Sequence, residues 1–279
     1  MQRIDSAKRV RRTGAWVGIA ALATLSLGGC SAAAWSRGGM PEGASEESSI
    51  VQSLWNGTWV TALAVGILTW GLIIWCIIVY RRRRGDTSVP RQLRYNIPIE
   101  VLYTVAPIAV VGALLFFTIR DASELTTVKN DQKETIGVVG FRWSWTFNYL
   151  DQNVYDVGVP GDTNLPTLYL PVNEKVKFKL ASPDVIHSFW VPAFLFKMDV
   201  VPGRYNEFEL TPNREGTFAG KCAELCGVDH SRMLFNVKVV PQAEFDAHMA
   251  ELRAKGQVGV LDAGRVNDKA QVVGGKDQS

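Results

Sequence analysis

The sequence predicts two membrane-crossing helices followed by an all-β sandwich. Three observations carry that prediction. Residues 59–80 contain no charge, and residues 99–119 are apolar apart from Glu100. From residue 133 to residue 240 the chain breaks into about seven short runs rich in β-branched and aromatic side chains. The chain has 279 residues, 47% of them hydrophobic, which is enough to bury one sizeable core and carry extra segments.

A net charge of +3 conceals an asymmetry. Residues 1–30 carry five basic and one acidic side chains, and residues 81–97 carry six and one, whereas residues 131–250 carry eleven and fifteen. Basic charge therefore gathers beside the apolar segments, and the β-region is mildly acidic. That distribution argues against nucleic-acid binding as the meaning of the basic pI.

Taken in order, residues 1–29 read as a secretory signal. Arg3, Lys8, Arg9, Arg11 and Arg12 form a basic start, and an apolar stretch follows that is too short to span comfortably. Leu27-Gly28-Gly29-Cys30 then resembles a bacterial lipoprotein cleavage box. It implies cleavage before Cys30 and a lipid on that sulfur; an uncleaved anchor with an incidental cysteine is the alternative. Residues 30–54, mostly Ser, Ala, Gly and Glu, read as a flexible spacer.

The transmembrane hairpin is expected over residues 55–120. Its first helix, 59–80, would run about 33 Å, enough to cross a bilayer core. Trp55, Trp59 and Tyr80 lie near its ends, as interfacial aromatics do, and Arg81 to Arg84 stop it. The basic loop, continued by Arg91 and Arg94, should be cytoplasmic, so the chain's start and everything after Arg120 lie outside. The second helix, 99–119, carries Glu100 at its start, where a carboxylate can be solvated among headgroups. Cys76 reads as a packing residue.

Strands are expected at 135–139, 143–149, 167–170, 176–180, 205–210, 217–221 and 234–240. Turn formers such as Pro160-Gly161, Pro171-Val172-Asn173 and Pro202-Gly203 separate them. Val176, Phe178 and Leu180 alternate with Lys175, Lys177 and Lys179, the pattern of a half-buried strand. A sandwich domain over 121–254 would close with an amphipathic helix at 242–252, on which His248 reads as a solvated side chain. Residues 255–279 read as a disordered tail.

The chemistry concentrates in residues 221–233, Lys-Cys-Ala-Glu-Leu-Cys-Gly-Val-Asp-His-Ser-Arg-Met. Two thiols, an imidazole and a thioether form a soft donor set that suits copper or an iron–sulfur centre, not magnesium or calcium. A disulfide between Cys222 and Cys226 and a tetrahedral zinc site remain open at this point. No second cysteine pair supports zinc, because Cys30 and Cys76 lie in membrane-associated segments. Of the other histidines, 187 and 248, His187 lies in strand-like sequence and can supply a second imidazole.

The pattern Cys-x-Glu-x-Cys-x-x-x-His-x-x-Met, with Asp-Val-x-His-Ser upstream, resembles cytochrome c oxidase subunit II and its dinuclear copper centre, CuA. The resemblance spans roughly residues 50–250 and implies a cupredoxin-like Greek-key sandwich. It implies that Cys222 and Cys226 bridge two coppers and that His187 and His230 bind one each. Met233 would add a weak axial thioether, and Glu224 would bind through its backbone carbonyl. The Glu224 carboxylate would hold magnesium at the boundary with the catalytic subunit. Pro98-Ile99-Glu100 resembles a segment whose glutamate lies at the mouth of a proton path. In the aromatic run 140–149 the resemblance makes Trp143 the point where electrons enter, although Phe141 and Arg142 stand where the family more often has His and Gln.

By that resemblance the chain takes electrons from cytochrome c and passes them to a haem in catalytic subunit I, among other oxidase subunits. Dioxygen reduction and proton translocation then occur in the partner. The expected place is the bacterial plasma membrane, two-pass, with the copper domain extracytoplasmic. A quinol oxidase subunit lacks the copper ligands, all six of which are present here. A lipid-anchored copper-delivery protein is the rival from another class, and it would not need the second helix, Glu100 or Glu224. Cys-x-x-Cys-His does not occur, so no fused c-type haem is expected.

Overall fold

The computed structural model describes residues 31–261, with residues 84, 86, 91, 162 and 163 excepted. The expected signal segment, Cys30, and the tail from residue 262 lie outside the described residues. The chain divides into two units, Met1–Pro41 and Glu42–Ser279. In the first, the described residues hold one short helix, α1 (Ala32–Ser36), whose N-cap Ser31 hydroxyl accepts the Ala34 N–H.

The second unit begins with the two long helices, α2 (Ser48–Val79) and α3 (Ile97–Thr126), both long and apolar enough to cross a membrane. α2 starts well before its expected first residue, and α3 exceeds its expected bounds at both ends. Pro98 stands in the first turn of α3, where its missing N–H costs nothing. Asn96 accepts the Ile99 N–H, while the Glu100 carboxylate accepts the Asn96 N–H at 2.7 Å, so Glu100 caps its own helix. At the far end, Asp121 is buried and pairs with Arg120 at 2.7 Å.

The start of α2 corrects the reading of residues 30–54 as a flexible spacer. Ala44 is fully buried; its N–H donates to Ala193 O at 2.7 Å, and its carbonyl accepts from Asn213. Both carboxylate oxygens of Glu47 accept the Thr211 N–H, at 3.0 and 3.1 Å. Ser and Glu give a spacer-like composition, yet here they satisfy backbone groups of the β-domain. Composition does not report such partners.

Among the described residues, ten strands form two five-stranded sheets. One has the order β3 (Val154–Val157), β2 (Ser144–Tyr149), β1 (Glu134–Phe141), β5 (Val176–Ala181), β8 (Asn206–Leu210). The other runs β4 (Thr167–Pro171), β10 (Leu234–Val240), β9 (Gly216–Cys222), β6 (His187–Val191), β7 (Phe196–Val200). β1 pairs with β5, and β10 with β4, in parallel; the other ladders are antiparallel. The chain is thus a helical hairpin followed by a cupredoxin-like sandwich, as expected.

β3, β6 and β7 were not among the seven expected strands. β3 has four residues, and β7 (Phe-Lys-Met-Asp-Val) carries charge on an edge. Pro192 and a left-handed Leu195 make a one-turn 3-10 corner between β6 and β7. Trp143, expected within a strand, lies just before β2 in the turn from β1.

Aromatic rings fill the space between the sheets. Phe178 stacks on Phe208 at 4.7 Å, Phe189 on Phe235 at 4.9 Å, and Trp145 meets Phe235 edge-on at 5.2 Å. Such pairs add directional preference to burial. The alternation in β5 holds: Val176, Phe178 and Leu180 are buried in the core. Lys177 on the opposite face is buried too, because its Nζ meets Glu207 at 2.9 Å and Asn130 at 2.8 Å.

Helix α4 (Gln242–Ala254) packs Phe245, Met249 and Leu252 on the domain. Residues 255–261, expected to open a disordered tail, follow it back onto β2 and β3. Gln257 O accepts the Tyr155 N–H, the Leu261 N–H donates to Asn148 Oδ1 at 2.8 Å, and Leu261 is buried against Val139, Phe141 and Tyr155. The polar composition of this stretch conceals its one buried leucine.

His248, read from sequence as solvated, is stacked on Tyr169 at 3.6 Å with its side chain 11% exposed. Its Nε2 is buried without a hydrogen-bond partner. Burial holds the imidazole below its ordinary 6.5, against the pull of Asp156 and Glu251. Below that pH the unfolded chain takes up a proton that the folded one refuses, so stability falls as pH drops from 6.5 toward the depressed value. His248→Gln should lose less thermal stability than the parent between about pH 7.5 and about pH 5.5. An equal loss in both proteins would clear His248 of any part in the acid response.

Candidate metal centre

Two features of the second sheet bring the donors together. β9 and β10 pair up to Lys221↔Leu234, and the Cys222 N–H donates to Met233 O at 3.0 Å, so residues 223–232 must leave the ladder as a closed loop. β6 pairs with β9 on the other side, with Phe189 opposite Cys222. The Ala223 N–H donates to Ser188 O, which brings His187, the first residue of β6, beside the loop. Within the loop a one-turn 3-10 helix, His230–Arg232, turns His230 back toward Cys226.

All six residues expected as ligands meet there. Cys222 Sγ and Cys226 Sγ lie 3.9 Å apart, His187 Nδ1 lies 3.9 Å from Cys222 Sγ, and His230 Nδ1 lies 3.5 Å from Cys226 Sγ. Met233 Sδ is 3.7 Å from Cys226 Sγ, and the Glu224 carbonyl oxygen is 3.2 Å from Cys222 Sγ. His187, Cys222 and Cys226 are buried and their donor atoms cluster as a metal site requires. The thiols are free, since a disulfide needs about 2.05 Å between its sulfurs. A metal bonded to each sulfur at about 2.3 Å fits across this gap.

Three neighbours hold the donors in place. The Trp143 indole N–H donates to Cys226 O at 3.2 Å, and the Trp145 indole N–H to Met233 O at 3.4 Å. Asp184 Oδ1 lies 2.9 Å from His187 Nε2. An ionised carboxylate only accepts, so Nε2 carries a proton and Nδ1 faces the Cys222 sulfur. Asp184 also accepts the backbone N–H groups of Arg142 and Val185. Two glycines leave room beside the donors. Gly227 has φ +129°, and a Cβ on it would stand 3.0 Å from Trp143 Nε1. A Cβ on Gly140 would stand 3.0 Å from the Trp145 ring and 3.3 Å from His187 Cδ2.

The electrostatics suit a cation. Burial raises both thiols, but at Cys222 hydrogen bonds with His187 and with the backbone at Glu224 and Ser188 outweigh it, and its pKa falls to about 7. At Cys226 burial is reinforced by the neighbouring Cys222, and the pKa is pushed up to about 12. The pair thus carries one thiolate readily and resists the second, which a bound cation would favour. Burial also opposes charge on Asp184, yet His187 and the backbone of Arg142 and Val185 hold its carboxyl far below the usual range. A cleft of about 520 Å³ lined by Trp190, Lys197, Lys221, Cys222, His230 and Leu234 opens beside the donors.

The other expected site residues lie apart from this cluster or at its edge. Glu224 lends its carbonyl and is itself exposed. Trp143 is half-buried over the loop, and Glu100 stands at the start of α3. Asp184 was not singled out from sequence, although its i,i+3 spacing to His187 was a usable signal. Trp145 was read only as part of an aromatic strand, and Arg142 as a departure from the family pattern beside Trp143.

The family model for cytochrome c oxidase subunit II, periplasmic domain, matches residues 134–240. A probable cytochrome c oxidase subunit 2 of Streptomyces avermitilis is 48% identical over 281 residues, covering 88% of each chain. Cytochrome c oxidase subunit 2 of Mycobacterium tuberculosis is 32% identical over 286 residues, covering 81% of this chain and 78% of that one. The periplasmic domain of the Bradyrhizobium japonicum oxidase subunit II is 30% identical, covering 46% of this chain and 99% of that one, with a TM-score of 0.42. The extent of identity with the full-length relatives decides the matter, and the chain belongs to the cytochrome c oxidase subunit II family.

Proposed function

We propose that this chain accepts electrons one at a time from cytochrome c at a dinuclear copper centre and delivers them to a haem of the catalytic subunit. The observation that carries this reading is the convergence of six donors, two of them free thiols 3.9 Å apart. One tetrahedral zinc takes four ligands, so six donors exceed its need. Soft sulfur donors with imidazoles favour copper. Two coppers held there would supply a site that takes up and releases one shared electron.

The chain's residues divide the work. Cys222 and Cys226 would hold the pair through their sulfurs, His187 and His230 would give one imidazole each, and Met233 and the Glu224 carbonyl would complete the set. Pre-set donors and a buried, hydrogen-bonded loop limit rearrangement when charge changes. Trp143 joins the surface to the Cys226 carbonyl and is the proposed point where the electron enters. The exposed Glu224 carboxylate would hold magnesium against the catalytic subunit, since carboxylate oxygen suits that ion. By resemblance Glu100 marks the mouth of a proton path into the same partner.

Two membrane-capable helices and a periplasmic-domain match make this a two-pass membrane protein with an extracytoplasmic β-domain. The bacterial plasma membrane, with the N-terminal side outside and a lipid on Cys30, is the proposed setting. Dioxygen reduction and proton translocation would take place in the partner subunit.

Three measurements test the reading. The full chain loaded with copper should hold two ions and give a paramagnetic spectrum with hyperfine structure from two equivalent coppers; a single copper per chain would defeat it. Trp143→Phe should slow electron acceptance by about an order of magnitude while leaving the copper spectrum unchanged, as expected when one positioned contact in the path is lost. If only stability changes, Trp143 is a packing residue. Glu224→Gln should retain copper, which meets the backbone, but lose magnesium from the assembled oxidase. Full magnesium in that variant would show the carboxylate idle.

A further inference from the structure

Arg142 stands in the turn between β1 and β2 with its side chain 51% exposed. Its backbone N–H donates to Asp184 Oδ2 at 2.8 Å, and its guanidinium Nε lies 3.4 Å from the same oxygen. The other oxygen, Oδ1, meets His187 Nε2 at 2.9 Å and accepts from Val185 N at 2.6 Å and Ser182 Oγ at 3.2 Å. Asp184 is 9% exposed and His187 is 0% exposed. One buried carboxylate thus joins a surface cation to a metal-site imidazole, with a separate oxygen for each.

We infer that Arg142 is a positioning residue that acts through Asp184 on His187 and raises the reduction potential of the copper centre. The inference rests on the dinuclear-copper reading of the site. A carboxylate accepting an imidazole N–H makes the ring's other nitrogen a stronger donor, which favours the oxidised metal. A guanidinium on the far oxygen draws that density back and adds a positive charge that favours the incoming electron. Both effects have the same sign. The carboxylate does not depend on the guanidinium for its placement, because the backbone N–H groups of residues 142 and 185 hold it whatever side chain stands at 142. Charge can therefore be removed while the clamp stays.

Half-exposure screens the guanidinium, so the effect is modest. In the full copper-loaded chain, Arg142→Gln should lower the midpoint by about a threefold change in the oxidised-to-reduced ratio, which is about 28 mV for one electron. Arg142→Lys, keeping the charge, should stay near the parent. In Arg142→Gln the nitrogen hyperfine coupling of one imidazole should shift and the other stay, with the two-copper pattern intact. An unchanged midpoint in Arg142→Gln, or one equally low in Arg142→Lys, overturns the inference. A lowered midpoint with both nitrogen couplings unchanged overturns the route through Asp184. If the parent chain shows no two-copper spectrum, the reading of the site falls and this inference falls with it.

Discussion

Two thiols must be held about 4 Å apart, each with an imidazole within about 4 Å of its sulfur, and most of the β-domain serves that constraint. The loop is closed by the last ladder pair of β9 and β10 and by the Cys222–Met233 backbone bond. Its interior is fixed by two indole N–H groups, from Trp143 and Trp145, that satisfy the carbonyls of Cys226 and Met233. A carbonyl left bare in so buried a place would cost on the order of 1–3 kcal/mol; the Trp143 indole spares Cys226 O that penalty, while the Trp145 indole adds a second bond to Met233 O, which also accepts the Cys222 N–H. Trp145 in turn packs on Phe189 and Phe235, so the aromatic core and the donor loop form one packed body.

The same logic extends to the membrane hairpin. Glu47 at the start of α2 receives the Thr211 N–H, and Glu209 in β8 receives the N–H groups of Lys129 and Asn130 just after α3. Both attachments use carboxylates on backbone N–H groups, charge-assisted bonds that are stronger than neutral ones. They tie the start of one long helix and the end of the other to the sandwich. A domain fixed in this way holds its metal site at a set height above the hairpin, which suits transfer to a partner in the membrane.

Around His187 a single carboxylate joins the protein's outer surface to its interior. Asp184 sets the tautomer of the imidazole and also faces Arg142, in the turn that carries Trp143. That turn therefore touches both ends of the donor set, His187 through Asp184 and Cys226 through the Trp143 indole.

The donor set was legible in the sequence because its spacing is local: Cys222, Cys226, His230 and Met233 lie in one loop, and soft side chains so close together have few other uses. The two long helices and the buried side of β5 were legible for a similar reason, since an uncharged run and a strict alternation each report their own environment. What escaped is non-local. Lys177 and His248 look like surface residues, and only their partners in distant segments, Asn130 and Tyr169, make them buried. Residues 44–48 and 257–261 have the composition of linkers, yet hydrogen bonds to distant strands hold them, and composition does not record such bonds. The sequence by itself determined which chemistry this chain carries. The tertiary structure alone decided which N–H groups hold the carbonyls of Cys226 and Met233 and that Arg142 faces Asp184, because those contacts join residues 42 to 88 positions apart, beyond any local pattern.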